Sequence, residues 1–194
     1  MKMQAIAQAG LAYSEGPYDR ERYLQLQALA AEIISEHTDH DHSHVTRFLA
    51  SETGYATPKV DVRGVVLKDR RILLVRETTD GKWSLPGGWA DLFLTASENV
   101  VKEIREESGY EVKVVRLLAL LDRSRHDHGP SPFYVYKVFF HCELIGGEPT
   151  TSIETSGAEF YALDDLPPLS VTRVSDNQIR RMVELIDSGE TDFD

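Results

Sequence analysis

The chain has 194 residues and a mass of 21.9 kDa, with 41% hydrophobic and 27% charged residues and a mean hydropathy of −0.32. These proportions exclude a disordered or fibrous polymer and fit one folded domain, or one plus a small extra unit. Twenty-one Lys and Arg against 32 Asp and Glu give a net charge of −11, which disfavours nucleic acid and requires any phosphate site to reverse the field locally, most simply with a metal. No apolar run approaches the roughly 18 residues of a membrane span, and Met1-Lys2-Met3-Gln4 leads into mixed sequence instead of a signal core, so a cytoplasmic protein without a membrane partner is expected. Cys142 stands alone, which excludes an intrachain disulfide and a cysteine-rich zinc site.

Residues 1–55 read as a helical unit. Tyr23, Leu26, Ala30 and Ile33, with Leu29 and Ile34 beside them, recur at helical spacing; Pro17 marks a break, and Asp19 is predicted as the N-cap after it. Two or three helices of this length bury too little to stand alone. Their apolar stripe is expected to meet the rest of the chain or a second copy, a symmetric homodimer being the commonest solution. His37, His40, His42 and His44 alternate with Asp39 and Asp41, a pattern that zinc or nickel can use but that more often marks a solvated loop.

From residue 56 to 194 the pattern is that of a mixed α/β domain. Val60 to Leu67 and Ile72 to Val75, divided by Lys68-Asp69-Arg70-Arg71, predict a hairpin. Thr95 and Glu98 form a capping box for a helix over Ala96 to Ser108, which Gly109 closes. Glu111 to Leu121 and Phe133 to Ile145 predict two long strands, the second ended by Gly146-Gly147, and a last helix runs from about Ser175 to Ile186.

The chemistry concentrates between Leu85 and Tyr110. At about 100° per residue, Glu103, Glu106 and Glu107 share one helix face, while Val100, Val101 and Ile104 point elsewhere. Carboxylates this close raise one another's pKa, and hard divalent cations relieve them most directly, which implies Mg²⁺ or Mn²⁺. Gly87-Gly88 lets the backbone pass close to this helix and offers amide and carbonyl groups as further contacts.

Leu85-Pro86-Gly87-Gly88-Trp89-Ala90-Asp91 together with Lys102-Glu103-Ile104-Arg105-Glu106-Glu107-Ser108-Gly109-Tyr110 resembles the signature of the Nudix hydrolases. Gly88, Glu103, Ile104, Glu106, Glu107, Gly109 and Tyr110 match it, whereas Leu94 replaces its first glutamate and Lys102 its arginine. Gln8-Ala9-Gly10-Leu11, residues 57–64, residues 83–91 and residues 166–170 also look like a bacterial subgroup with an N-terminal helical domain. The resemblance implies a Nudix α/β/α sandwich with a mixed sheet over residues 56–194. It also implies a metal-dependent pyrophosphohydrolase that cleaves nucleoside diphosphates linked to another moiety, of the kind that includes CDP-choline pyrophosphatase; the homodimer through the N-terminal helices is expected from their apolar stripe alone.

On that register Glu103, Glu106 and Glu107, with Gly88, are the implied metal ligands, and Lys102 is the residue that orients one carboxylate. Lysine keeps the charge of the arginine and loses its planar fork. Losing an auxiliary group costs about 10- to 100-fold against an enzymatic acceleration of at least about 10⁶, which leaves an enzyme. Glu154 or Glu159 is the candidate further ligand or base. Arg63, Gly87, Gly88, Trp89, Arg123 and His126 are candidate substrate contacts, with Arg125 and His128 in the same cationic lip, and Trp83 reads as a packing residue. A different class, a nucleotide or ADP-ribose sensor without hydrolysis, draws its support from Leu94 and Lys102. An RNA-processing member is disfavoured by the −11 charge.

Overall fold

The computed structural model describes residues 1–38, 41–129, 131 and 133–194. It divides into two compact units, Met1–Pro58 and Lys59–Asp194.

The first unit contains α1 (Lys2–Tyr13), α2 (Pro17–Glu36) and α3 (His42–Ser51). Pro17 is the first helical residue of α2, and Gly16 is its N-cap. Asp19 is therefore a first-turn acid that pairs with Arg22 at 3.0 Å, not the predicted cap. Proline's fixed φ suits the first helical position, so the helix starts earlier than the polar residue indicates. Ala30, Ala31, Val45 and Leu49 form a small core, flanked by Met3, Ile34 and Phe48. The inward side of α2 includes Ala30, Ala31 and Ile34, with the predicted Tyr23 packed on Gly10 of α1 and Leu26 partly buried; Leu29 and Ile33 are 50% and 46% exposed. Asp41 caps α3 through the amides of Ser43 and His44, and His37 caps the end of α2. These are helix-end duties, and among the described residues no metal-holding cluster forms; Asp39 and His40 lie outside them.

The second unit is a three-layer sandwich. Its elements are β1 (Lys59–Lys68), β2 (Arg71–Glu77), β3 (Trp83–Ser84), α4 (Ala96–Ser108), β4 (Tyr110–Asp122), β5 (Val135–Gly147), β6 (Thr155–Ala162), α5 (Asp176–Ser188) and β7 (Asp192–Phe193). The sheet order is β3-β2-β1-β5-β4-β7, with β6 beside β2. β1 and β5 are parallel, as are β4 and β7, and the remaining pairs are antiparallel. β5 begins at Val135, two residues later than predicted, and the short β3 and β7 are additions.

Val100 and Ile104 of α4 pack on Val62, Val66, Leu73, Val75 and Phe140 on one sheet face. Ile179, Met182 and Leu185 of α5 pack on Val65, Ile72, Leu74 and Phe139 on the other. A Cβ at Gly64 would lie 2.3 Å from Ile104 Cδ1, so α4 rests directly on the β1 backbone there. Among the described residues no helix is long and apolar enough to cross a membrane.

Candidate active site

β1 pairs with β2 only at Leu67↔Ile72 and Lys68↔Arg71. Beyond that point β2 diverges, and the segment Pro86–Ala90 becomes the neighbour of β1 through Gly64 N to Pro86 O, Val62 N to Gly88 O and Ala90 N to Val60 O, at 2.9, 2.8 and 2.9 Å. The approach is close enough that a Cβ at Gly87, whose φ is +135°, would lie 2.0 Å from the Val62 carbonyl oxygen. Glycine is required there. The glycine loop is thereby pressed between β1 and α4, and a cleft of about 850 Å³ opens over it, a size suited to a small-molecule substrate.

α4 presents the acids to this cleft. The capping box fixes its start: Thr95 Oγ1 accepts from Glu98 N at 3.2 Å and Glu98 Oε2 accepts from Thr95 N at 2.8 Å. Gly109, at φ +76°, ends it. Asn99 holds the preceding loop, accepting from Asp91 N at 2.8 Å and donating to the carbonyls of Asp91 and Leu94. Glu107 is buried and accepts from Gly87 N at 2.7 Å. Burial pushes its carboxyl up to about 8, against the pull of Arg63 and the Gly87 amide and with added repulsion from Glu77 and Glu103. Glu103 is also raised, first by burial and then by Glu106 and Glu154, with Lys102 and Arg63 opposing. A Cβ at Gly88 would meet Glu103 Oε2 at 3.0 Å, so this carboxylate rests on the glycine loop. Glu106 is the outermost of the three, its side chain 57% exposed.

The Lys102 ammonium stands among these acids, 2.8 Å from Glu106, 3.2 Å from Asp91 and 3.6 Å from Glu103. Its pKa is raised by the hydrogen bonds to Glu106 and Asp91. As the side chains stand, no three acids, imidazoles or thiols among the described residues converge as a metal site. The donor set nevertheless suits a hard divalent cation: oxygen ligands, two of them displaced toward the neutral form, chiefly by burial.

A family model described as a NUDIX domain matches residues 57–182. The chain belongs to the Nudix family. A second model, described as a UDP-X-like N-terminal oligomerisation domain, matches residues 1–49. The Bacillus subtilis (strain 168) protein named "Putative ADP-ribose pyrophosphatase YjhB" is 47% identical over 185 residues, covering 95% of this chain and 89% of that protein. A crystal structure of a UDP-X diphosphatase superposes with a TM-score of 0.68 at 35% identity, over 100% of this chain and 95% of that one. That of an ADP-ribose pyrophosphatase from Streptococcus suis 89-1591 gives 0.66 at 42% identity, over 71% of this chain and 100% of that one.

Several of the anticipated residues line the Nudix cleft: Arg63, Gly87, Gly88, Trp89, Lys102, Glu103, Glu106, Glu107, Arg123 and Glu154. Others do not. Glu159 is exposed and accepts from the Tyr161 hydroxyl at 3.0 Å. Strand alternation puts it on the face opposite Ala158 and Phe160, which pack on the α4 side. His126 lies 3.2 Å from Asp194, and Arg125 is exposed, while His128 is buried with Nδ1 on the Val171 carbonyl. Burial holds the His128 imidazole down to about 4. Arg123 alone of that predicted lip reaches the cleft. Trp83 is a packing residue, edge-on to Tyr161. Leu94 is not among the residues lining the cleft, so the departure from the Nudix signature there takes no carboxylate from the cavity as it stands.

Among the lining residues that sequence reasoning missed are the charged Asp61, Glu77, Lys137 and Arg173. Asp61 accepts from both Nε and Nη2 of Arg63, and Lys137 donates to its other side. Burial opposes ionisation of Asp61, but Arg63 and Lys137 outweigh it and hold its pKa low. Glu77 is buried, receiving Ser84 Oγ at 2.6 Å and Arg173 Nε at 3.1 Å. The available signal is a charged residue bracketed by strand-forming apolar ones, as in Val60-Asp61-Val62 and Tyr136-Lys137-Val138.

Proposed function

We propose that this chain is a divalent-cation-dependent Nudix pyrophosphohydrolase. It takes a nucleoside diphosphate linked to a second moiety and adds water across the diphosphate, giving a nucleoside monophosphate and the phosphorylated moiety. The observation that carries this reading is the pair Glu103 and Glu107, desolvated side by side against the Gly87-Gly88 loop at the floor of the cleft. The names of the similar proteins make ADP-ribose and UDP-linked compounds the first substrates to test.

Glu103, Glu106 and Glu107, with the Gly88 carbonyl, would hold Mg²⁺ or Mn²⁺. When bound, such ions lower the pKa of water and neutralise the diphosphate charge. The remaining work belongs to the chain's own groups. The Gly87 amide and Arg63 orient the Glu107 carboxylate. Lys102 tethers Glu106 at 2.8 Å and would have to release it for that carboxylate to serve a cation. Glu154, exposed on the cleft's rim and close enough to raise Glu103, is the candidate base that accepts the water's proton. Trp89, 49% exposed and edge-on to Phe133 at 5.7 Å, offers an aromatic wall for the nucleoside.

The sensor reading is not favoured, since Leu94 lies off the cleft and Lys102 still reaches its carboxylate. The N-terminal unit supports a homodimer: Leu24, Leu29 and Ile33 are about half exposed on α2 within a segment matching an oligomerisation domain. A panel of ADP-ribose, UDP-sugars, CDP-choline, dinucleoside polyphosphates and capped RNA, assayed for phosphate products with each metal, tests the reading. Tight binding without product across the panel overturns it.

A further inference from the structure

The cleft is electrostatically divided. One end carries Glu103, Glu106, Glu107 and Glu154, with Lys102 and Asp91 among them; at the other, Arg63, Lys137 and Arg123 gather about Asp61, and the Glu77–Arg173 pair lies beside Arg63. Arg63 stands at the junction, with its fork on Asp61, Nη1 donating to Leu85 O at 2.9 Å, and Glu107 and Glu77 within electrostatic reach. Lys137 shares the same carboxylate and is 2% exposed, yet its side chain borders the cleft.

Among the described residues Arg123 donates only to carbonyl oxygens, those of Gly129 at 3.1 Å, His128 at 3.0 Å and Thr172 at 3.3 Å. Among the described residues no carboxylate forms an ion pair with it. Asp61 is the carboxylate acting on both Lys137 and Arg123, and Arg63 already holds it through its fork. Burial lowers both Lys137, to about 8, and Arg123, and the opposing pull of Asp61 does not offset it. Leaving cations in this state costs stability unless an anion completes the site.

We infer that Lys137 and Arg123 form an anion subsite that takes the phosphoryl group of the substrate's diphosphate not held at the carboxylate end. The inference rests on the pyrophosphohydrolase reading for the identity of the anion. It adds a selectivity that the carboxylates cannot provide: a diphosphate conjugate engages both ends at once, whereas a phosphomonoester reaches one.

The test is calorimetric titration of the full chain with inorganic pyrophosphate in excess chelator, so that no metal bridges the anion to the glutamates. The parent protein is expected to bind pyrophosphate, and Lys137→Met and Arg123→Gln each to weaken that binding by about 10- to 100-fold, as for a lost hydrogen bond to a charged group. Arg123→Lys should recover most of it. In turnover of the best panel substrate, KM should rise by a similar factor while kcat moves less than about threefold. Lys137→Met leaves Asp61 in its two-pronged pair with Arg63, so no buried carboxylate is orphaned. Should that variant still fail to fold, the partly exposed Arg123 carries the test alone.

Pyrophosphate binding that is absent from the parent, or equal in parent and variants, overturns the subsite. A fall in kcat at constant KM does the same. A parent that binds pyrophosphate through these residues but hydrolyses nothing in the panel overturns the enzymatic reading and leaves the subsite standing.

Discussion

Replacing Glu107 by Gln should make the metal-free protein more stable at alkaline pH while destroying its activity. The ordinary glutamate value of 4.5 is displaced to about 8 by burial; at about 1.4 kcal/mol per unit, the displacement corresponds to about 5 kcal/mol. The sign follows from which state holds the proton. Below pH 4.5 the carboxyl is protonated in both folded and unfolded chains, and its full contribution to stability is present. As pH rises toward 8 the unfolded chain loses this proton while the folded chain keeps it, so stability falls; above about 8 the loss is complete. Glutamine cannot ionise, fills nearly the same volume, and its amide oxygen can still accept from the Gly87 amide.

Urea unfolding in chelator should therefore give matching stabilities for parent and Glu107→Gln at pH 4 and a gap of up to about 5 kcal/mol in favour of the variant at pH 9. Divalent cation at a hundred times its dissociation constant returns about 2.7 kcal/mol to the parent and little to the variant. Turnover of the variant should fall by about 10²-fold or more, the order for a lost transition-state stabilising group. A variant no more stable than the parent at pH 9 refutes the claim that this carboxylate is held in tension for a cation.

Leu94→Glu, which returns the signature's first glutamate to a position off the cleft, should alter kcat/KM by less than about threefold, the scale of an ordinary surface change; a tenfold gain by steady-state kinetics contradicts that placement. Gly87→Ala forces a Cβ to within 2.0 Å of the Val62 carbonyl and should abolish detectable turnover, with a lower melting temperature by calorimetry. Ile33→Glu, on the exposed face of α2, should convert a dimer to a monomer in light scattering, and a parent that is already monomeric at micromolar concentration removes the proposed interface.

The elements most legible in the sequence are those whose signals are local. α4 announces itself through Thr95, Glu98 and Gly109, all within one helix length, and the structure uses each as read. The start of α2 misleads because two local signals compete there, Pro17 and Asp19, and the backbone constraint of proline prevails. Glu159 misleads for a different reason: distance along the chain brings it near the site, but a strand reverses side-chain direction at every residue, and no local feature reports which face meets the cleft. The pairing of Asp61 with Lys137 is less legible still. It exists because β1 and β5 run parallel and in register, which joins two residues 76 positions apart in the sequence, and each residue alone reads as an ordinary charge in a strand. The cationic end of the cleft is therefore a property of the sheet's order, while the acidic end is a property of one helix.

This division bears on why a chain of net charge −11 can serve a phosphate substrate. At physiological ionic strength a charge is screened over about 8 Å, so a small ligand inside the cleft responds mainly to the groups lining it. Lys137, Arg63 and Arg123 supply the local reversal without any metal, and the glutamates supply it only through one. An extended polyanion is in another position: its phosphates continue past the cleft mouth, beyond the screening length, and meet the acidic surface of the whole protein. The same charge distribution thus admits a diphosphate conjugate and penalises a long nucleic acid, and the penalty should shrink as salt is raised while binding of the small substrate weakens.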